Sequence, residues 1–119
     1  MKSNGSRPIH RRAADGLKGL GEGLRRERAV RTHLIFSAAS LIMLVWVRPA
    51  LAWTLIVAVL LVLGLTVELI NGAIEASLDR LHPRVDSEIG AAKDMASAAA
   101  FVINCAAVAA VIGTLVSTL

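Results

Sequence analysis

The stretch LAWTLIVAVLLVLGLTVELINGAIEASLDR, residues 51–80, decides the fold. Its first 17 residues carry no charge, and four polar residues then follow at spacings of 3, 4 and 4: Glu68, Asn71, Glu75 and Asp79. On an α-helix these four share about a quarter-turn. A charged side chain at mid-bilayer costs about 2.5–3.5 kcal/mol on insertion scales, so such residues face protein, water or a ligand. The pattern predicts a membrane-spanning helix with one polar stripe.

The whole chain has the composition of a membrane protein. Its 119 residues are 55% hydrophobic and 18% charged, with a mean hydropathy of +0.65. Soluble domains carry about a quarter charged residues. Further apolar runs occupy residues 33–47 and 95–119. We therefore predict an all-α integral membrane protein with three spans, at about 33–47, 51–74 and 95–119. A tight turn at Arg48-Pro49 and a polar connection at residues 79–92 are expected between them.

Residues 1–31 form a basic arm ahead of a transmembrane unit at residues 32–119. In this arm, apolar residues recur every three or four positions, at Ile9, Ala13, Leu17, Leu20 and Leu24. This spacing predicts an amphipathic helix on the membrane surface. The arm holds nine Lys/Arg against three Asp/Glu and no aromatic residue. Without aromatic side chains for base stacking, we expect it to meet anionic lipid and no nucleic acid.

The third span begins AAKDMASAA at residues 91–99. Lys93, Ser97, Ala100 and Asn104 share one helix face, and its small residues permit close helix contact. We expect this face to pack against the polar stripe of the second span. Cys105 lies among Ala, Val and Ile and is predicted to be a small buried residue.

A carboxylate cluster at a lipid interface suits three roles. The first is phosphoryl transfer, in which magnesium binds a few carboxylates together with nucleotide phosphates and a further carboxylate takes a proton from an alcohol. Intramembrane acids also serve proton relays. A third possibility is a scaffold in which the polar stripe only holds helices together. His10, His33 and His82 lack metal-ligand spacing, so no zinc is expected.

Two blocks of the sequence resemble the bacterial diacylglycerol kinase family. ELINGAIEASLDR, residues 68–80, resembles its E-h-h-N-x-A-I-E-x-h-x-D block, where h is apolar, and AKDMASAA, residues 92–99, resembles its A-K-D block. Upstream, residues 25–33, RRERAVRTH, are similar to the family segment before the first span. The likeness extends from about Arg11 over nearly the whole chain. It implies a homotrimer in the bacterial inner membrane, with active sites between protomers, that uses ATP and Mg²⁺ to phosphorylate a lipid alcohol.

The resemblance also implies roles for single residues. Glu68 is the implied catalytic base, and Glu27 and Glu75 are the implied magnesium ligands. Further positions correspond to the nucleotide site: Asn71, Asp79, Lys93 and Asp94. Arg31 and Ser97 correspond, with Glu68, to the lipid-substrate site.

Some positions depart from the family pattern. Arg84, Val85 and Asp86 stand where an E-x-H element contacts ATP in many relatives, and Leu17 stands where Trp is common. The Glu27, Arg31 and His33 pattern is more similar to the polyprenol-kinase branch. Diacylglycerol is the leading substrate on this resemblance, and undecaprenol is the alternative.

The distribution of basic residues predicts the orientation in the membrane. The N-terminal arm carries nine Lys/Arg, the first connection only Arg48, the second connection with its flank three, and the C-terminal end none. Because basic segments stay cytoplasmic, the N-terminus should lie inside and the C-terminus outside. A reporter that is active only outside the cytoplasm should therefore work when fused after Leu119. Activity of a cytoplasm-only reporter at that position would contradict this orientation.

Overall fold

The part of the chain that the structure describes forms four helices. The computed structural model describes residues 7–84 and 86–119. The helices are α1 (Ile9–Arg26), α2 (Arg28–Val47), α3 (Leu51–Leu81) and α4 (Ser87–Thr118). The last three are each long and apolar enough to cross a membrane. The prediction of an all-α protein with an amphipathic first helix and three candidate spans is confirmed.

α1 ends against the start of α2. It remains helical through its four glycines, and the chain bends at Glu27, whose backbone is extended (φ −107°, ψ 113°). Arg31 Nη1 then donates to the carbonyls of Leu24 (2.9 Å) and Arg25 (3.2 Å). The last carbonyls of a helix have no partner within it, so this arginine satisfies two of them and fixes the α1–α2 corner.

α2 and α3 are joined by a tight turn at Arg48. Its backbone is in the left-handed region (φ 51°, ψ 58°), and Pro49 follows. This agrees with the turn expected at Arg48-Pro49. The turn returns the chain so that Leu44 of α2 and Val57 and Leu61 of α3 meet Ala110 of α4 in the buried core.

α3 and α4 are antiparallel and pack closely. Asp79 near the end of α3 pairs with Lys93 near the start of α4, whereas Glu68, deeper in α3, meets Asn104, deeper in α4. Farther along, the Trp53 ring lies directly over Gly113, where a Cβ would come within 2.8 Å of it. We call the end of the bundle that carries Asp79, Lys93 and α1 the α1 end.

The helix ends differ from the predicted span limits. α2 begins at Arg28 rather than near His33, and α4 begins at Ser87 rather than near Met95. The predicted connection at 79–92 is wrong in extent, because only residues 82–86 separate α3 from α4. Charged residues there suggested a loop, but backbone hydrogen bonds continue a helix beyond its apolar part. Cys105 is exposed on α4, so its predicted burial is also wrong for this chain.

Candidate functional site

The centre of the candidate site is Glu68, a buried acid in the middle of the bundle. Its exposed fraction is 6%, and its Oε1 accepts a hydrogen bond of 2.9 Å from Asn104 Nδ2. Among the described residues, Oε2 of Glu68 accepts no hydrogen bond. The predicted packing of this α4 face against the polar stripe is thus observed at Asn104 and Lys93, whereas Ser97 of the same face is exposed. One oxygen of Glu68 is held by protein, and the other remains for a further partner.

Two glycines flank Glu68 on the same face of α3. Gly64 and Gly72 precede and follow it by four residues, and both are buried. The His33 ring lies on Gly64, and the Glu27 side chain lies on Gly72, where a Cβ would be 2.8 Å from Glu27 Cγ. The absence of a side chain at both positions lets the first part of α2 approach α3 on either side of Glu68.

A large cavity opens beside Glu68. Its volume is about 570 Å³, within the usual range for small-molecule sites. Glu68 and Asn104 supply polar groups, and α2 contributes a wall that runs from its first turn to Phe36. The remaining lining residues are Arg28, Ala29, Thr32, His33 and Val108. We call this space the α2–α4 cavity; it is mainly apolar with a few polar groups around one acid.

The remainder of the stripe lies toward the α1 end. Asp79 accepts a hydrogen bond and ion pair from Lys93, and Glu75 is half-buried between Asp79 and Glu68. Asn71 Oδ1 is buried without a hydrogen-bond donor in the described part of the chain. A buried acceptor left unpaired costs about 1–3 kcal/mol, so this position favours a donor from a ligand or a second chain.

The other predicted site residues lie away from this cluster. Asp94 and Ser97 are exposed on α4, and Arg84 is exposed after α3. Asp86 accepts a hydrogen bond of 2.9 Å from the backbone N–H of Ile89 and so caps α4. Val85 lies outside the described residues. Arg31, predicted at the lipid site, contacts the carbonyls at the end of α1 instead of the cavity.

Glu27 and Glu75, the two predicted magnesium ligands, lie within one turn of each other along the axis of α3. Across residues 7–84 and 86–119, no group of three or more His, Cys, Asp or Glu could hold a metal ion. Mg²⁺, however, usually takes one or two carboxylates together with phosphate oxygens and water. Glu27 packs on Gly72, and Glu75 follows Gly72 by less than one turn of α3. The two carboxylates therefore lie at a similar height along α3, which is compatible with the predicted pair of ligands.

A second cavity separates α1 from α3. It measures about 380 Å³ and is lined largely by glycine and alanine, with Glu22, Arg26 and Glu27 as its charged residues. Glu22 accepts a hydrogen bond from Arg25 (2.7 Å) and forms an ion pair with Arg26 (2.9 Å). The hydrogen bond from Arg25 lowers the pKa of Glu22, so this acid stays ionised at neutral pH. Glu27 lines this cavity and packs on Gly72, so it lies at the boundary between α1, α2 and α3.

The comparison with known families agrees with this arrangement. The family model for prokaryotic diacylglycerol kinase matches residues 14–116 of the chain. The chain belongs to the prokaryotic diacylglycerol kinase family. No individual curated protein matches it. As a member of this family of lipid kinases it is an ATP-using membrane enzyme, and the matched range includes Glu27, Glu68 and Glu75 together with both cavities.

Sequence reasoning about this diacylglycerol kinase family member did not predict the burial of His33. His33 is 5% exposed, and its Nε2 lies 2.8 Å from the carbonyl oxygen of Leu61. The sequence offered one signal, a histidine at the start of an apolar run, and did not indicate that this histidine would meet Gly64. That the two meet depends on how α2 packs on α3, which spacing within either helix does not contain.

The Glu68–Asn104 contact should appear as a coupling in stability. In a double-mutant cycle with Glu68→Ala and Asn104→Ala, we expect a coupling of about 0.6–1.7 kcal/mol, as for interhelical hydrogen bonds in membranes. Unfolding in detergent micelles measures it. The control cycle combines Asn104→Ala with Asp79→Ala, whose partner is Lys93, and should give almost no coupling. Equal coupling in the two cycles would contradict a specific contact.

Proposed function

We propose that this protein transfers the γ-phosphoryl group of ATP to diacylglycerol, giving phosphatidic acid. The observation that carries the proposal is the state of Glu68. It is buried beside a mainly apolar cavity of about 570 Å³, held through Oε1 by Asn104, with no protein donor to Oε2 among the described residues. A carboxylate so placed can accept a proton from a lipid hydroxyl that enters the cavity.

The proposed reaction takes place at Glu68. Oε2 accepts the proton of the lipid hydroxyl while the hydroxyl oxygen bonds to the γ-phosphorus. The bond between that phosphorus and its bridging oxygen breaks, and ADP leaves. Asn104 keeps the carboxylate oriented through its 2.9 Å hydrogen bond. Since phosphoryl transfer depends mostly on positioning and charge stabilisation, the remaining task is to hold the nucleotide in line with this hydroxyl.

The nucleotide is proposed to bind toward the α1 end. Glu75 precedes Asp79 by four residues, and Lys93 lies beside Asp79, so a cationic group stands about three turns of α3 from Glu68. Asn71, with its unpaired buried oxygen, lies between them. We place Mg²⁺ between Glu27 and Glu75, where it would neutralise phosphate charge when bound. Asp94 would orient the nucleotide, and Arg84, Val85 and Asp86 would lie near its adenosine.

A homotrimer is proposed because part of the site faces outward. Lys93 is half-buried against Asp79, whereas Asp94 and Ser97, on the same turn of α4, are exposed. In a lipid environment an exposed aspartate favours a protein or ligand partner. A neighbouring protomer would bring these residues to a shared site, with Ser97 and Arg31 near the lipid headgroup. The proposed orientation puts the α1 end in the cytoplasm, where ATP is available.

The acceptor lipid is tested directly. Purified protein is incubated with labelled ATP, Mg²⁺ and either diacylglycerol or undecaprenol in separate mixed micelles. Label in phosphatidic acid supports the proposal, and label only in undecaprenyl phosphate changes the substrate while retaining the kinase. Undecaprenol is kept as the second candidate because Glu27, Arg31 and His33 resemble that branch, and His33 lines the cavity. Transfer to neither lipid would favour the non-enzymatic scaffold.

Replacement of Glu68 by glutamine should abolish most of the turnover. Gln keeps the shape and a hydrogen-bonding group but is not a base, so we expect kcat to fall about 10²-fold or more. ATP binding and oligomer assembly should change little. Glu88→Gln, the same change at an exposed position early in α4, serves as the control and should leave kcat unaltered. Near-normal turnover of Glu68→Gln would assign Glu68 a structural role, as in a scaffold, and make Asp94 the next candidate base.

Replacement of Glu75 by glutamine should raise the Mg²⁺ requirement. The change removes one of two proposed ligand carboxylates, so half-maximal activity should need more Mg²⁺ while the oligomer persists. Binding of Mn²⁺ in the presence of a non-hydrolysable ATP analogue, followed by electron paramagnetic resonance, provides a readout independent of turnover. If metal dependence and Mn²⁺ binding are unchanged in both Glu27→Gln and Glu75→Gln, the metal site lies elsewhere.

A further inference from the structure

We infer that His33 is a positioning residue, which fixes the height of Glu27 and of the cavity wall along the axis of α3 relative to Glu68. This role of His33 rests on the proposed kinase function. His33 is 5% exposed, within α2, and lies 28 residues from its partner in the chain. Its Nε2 is 2.8 Å from the carbonyl oxygen of Leu61. A carbonyl oxygen only accepts, so Nε2 carries the proton and donates.

The bond fixes α2 along the axis of α3. Leu61 and Gly64 lie on the α3 face that continues to Glu68, and the His33 ring covers Gly64 so closely that a Cβ there would overlap ring atom Cε1. Six residues earlier in the chain, Glu27 lies on Gly72 in the same way. Both contacts need glycine on α3.

The two contacts together form a clamp around Glu68. Gly64 and Gly72 are eight residues apart, about 12 Å along the helix axis, with Glu68 midway. The α2 segment between the contacts supplies Arg28, Ala29 and Thr32 to the wall of the α2–α4 cavity. A slide or tilt of α2 on α3 would therefore move Glu27 and this wall relative to the Glu68 carboxylate.

The position of the wall matters for the reaction because it would set where the lipid hydroxyl rests. A misplacement of about 1 Å can cost on the order of 10²-fold in rate even when the chemical groups remain. The Leu61 carbonyl is also the acceptor for a backbone N–H within α3, so the hydrogen bond from His33 is additional to the helix ladder. Its loss should shift α2 without unwinding α3.

The test is a double-mutant cycle on kinase turnover with the full-length protein. His33→Ala should lower kcat for the lipid by about 10- to 10²-fold, with the KM for ATP little changed. Gly64→Ala should also lower kcat, because its methyl group displaces the ring. In the His33→Ala background the three atoms nearest to this methyl group are removed, so Gly64→Ala should cost less than roughly twofold there.

Two further variants complete the test. The side-chain amide of His33→Gln can donate to the Leu61 carbonyl, so this variant should retain part of the turnover that His33→Ala loses. If His33→Ala does not fold, His33→Gln is measured in its place. His82→Ala changes an exposed histidine just after α3 and should have no effect. A purely structural role would lower the unfolding midpoint of His33→Ala but leave kcat per folded protein unchanged.

The outcomes separate this inference from the proposed function. In one contrary outcome the wild-type protein phosphorylates a lipid while His33→Ala retains normal turnover, and in another Gly64→Ala lowers kcat equally in both backgrounds. Either result overturns the role of His33 and leaves the kinase proposal intact. Wild-type protein inactive with both lipids overturns the kinase proposal and the reaction role of His33 together. Non-additive losses of kcat with partial recovery in His33→Gln support the clamp.

Discussion

The hydrogen bond from Asn104 to Glu68 joins α4 to α3 at the level of the candidate site, and most of the bundle's geometry depends on it. A carboxylate surrounded by apolar side chains and lipid has no water to satisfy it, so a second helix must bring a donor. The donor comes from 36 residues away, at 2.9 Å. Once Asn104 is opposite Glu68, the antiparallel course of α4 carries Lys93 to Asp79.

Glycine makes the second essential contribution to the packing. Gly64 and Gly72 let His33 and Glu27 lie against the backbone of α3, where larger side chains would separate the helices. Helix association in lipid depends on close packing and hydrogen bonds, because the lipid tails are as apolar as the side chains that the helices would bury. The same two glycines therefore bring α2 close and leave Glu68 between the two contacts.

This arrangement divides the molecule into two chemical levels. Deep in the bundle, one acid borders a cavity that is mainly apolar and suited to a lipid. Toward the α1 end, Glu75, Asp79 and Lys93 form a charged level, to which the proposed function assigns phosphate and metal. A lipid kinase needs both levels in one short molecule, because its two substrates arrive from different solvents. A scaffold would need only enough polar contacts to join its helices.

The sequence by itself determined the apolar spans, the polar stripe, the turn at Arg48 and the face of α4 that meets the stripe, because each follows from local hydropathy and the helical period. It failed at the helix ends, since backbone hydrogen bonds extend α3 to Leu81 whether or not the side chains are apolar. Only the tertiary structure decided that Asn104 bonds Glu68 and that His33 covers Gly64. Those contacts depend on the relative height and rotation of separate helices, which are set by side-chain packing and not by a pattern within one helix.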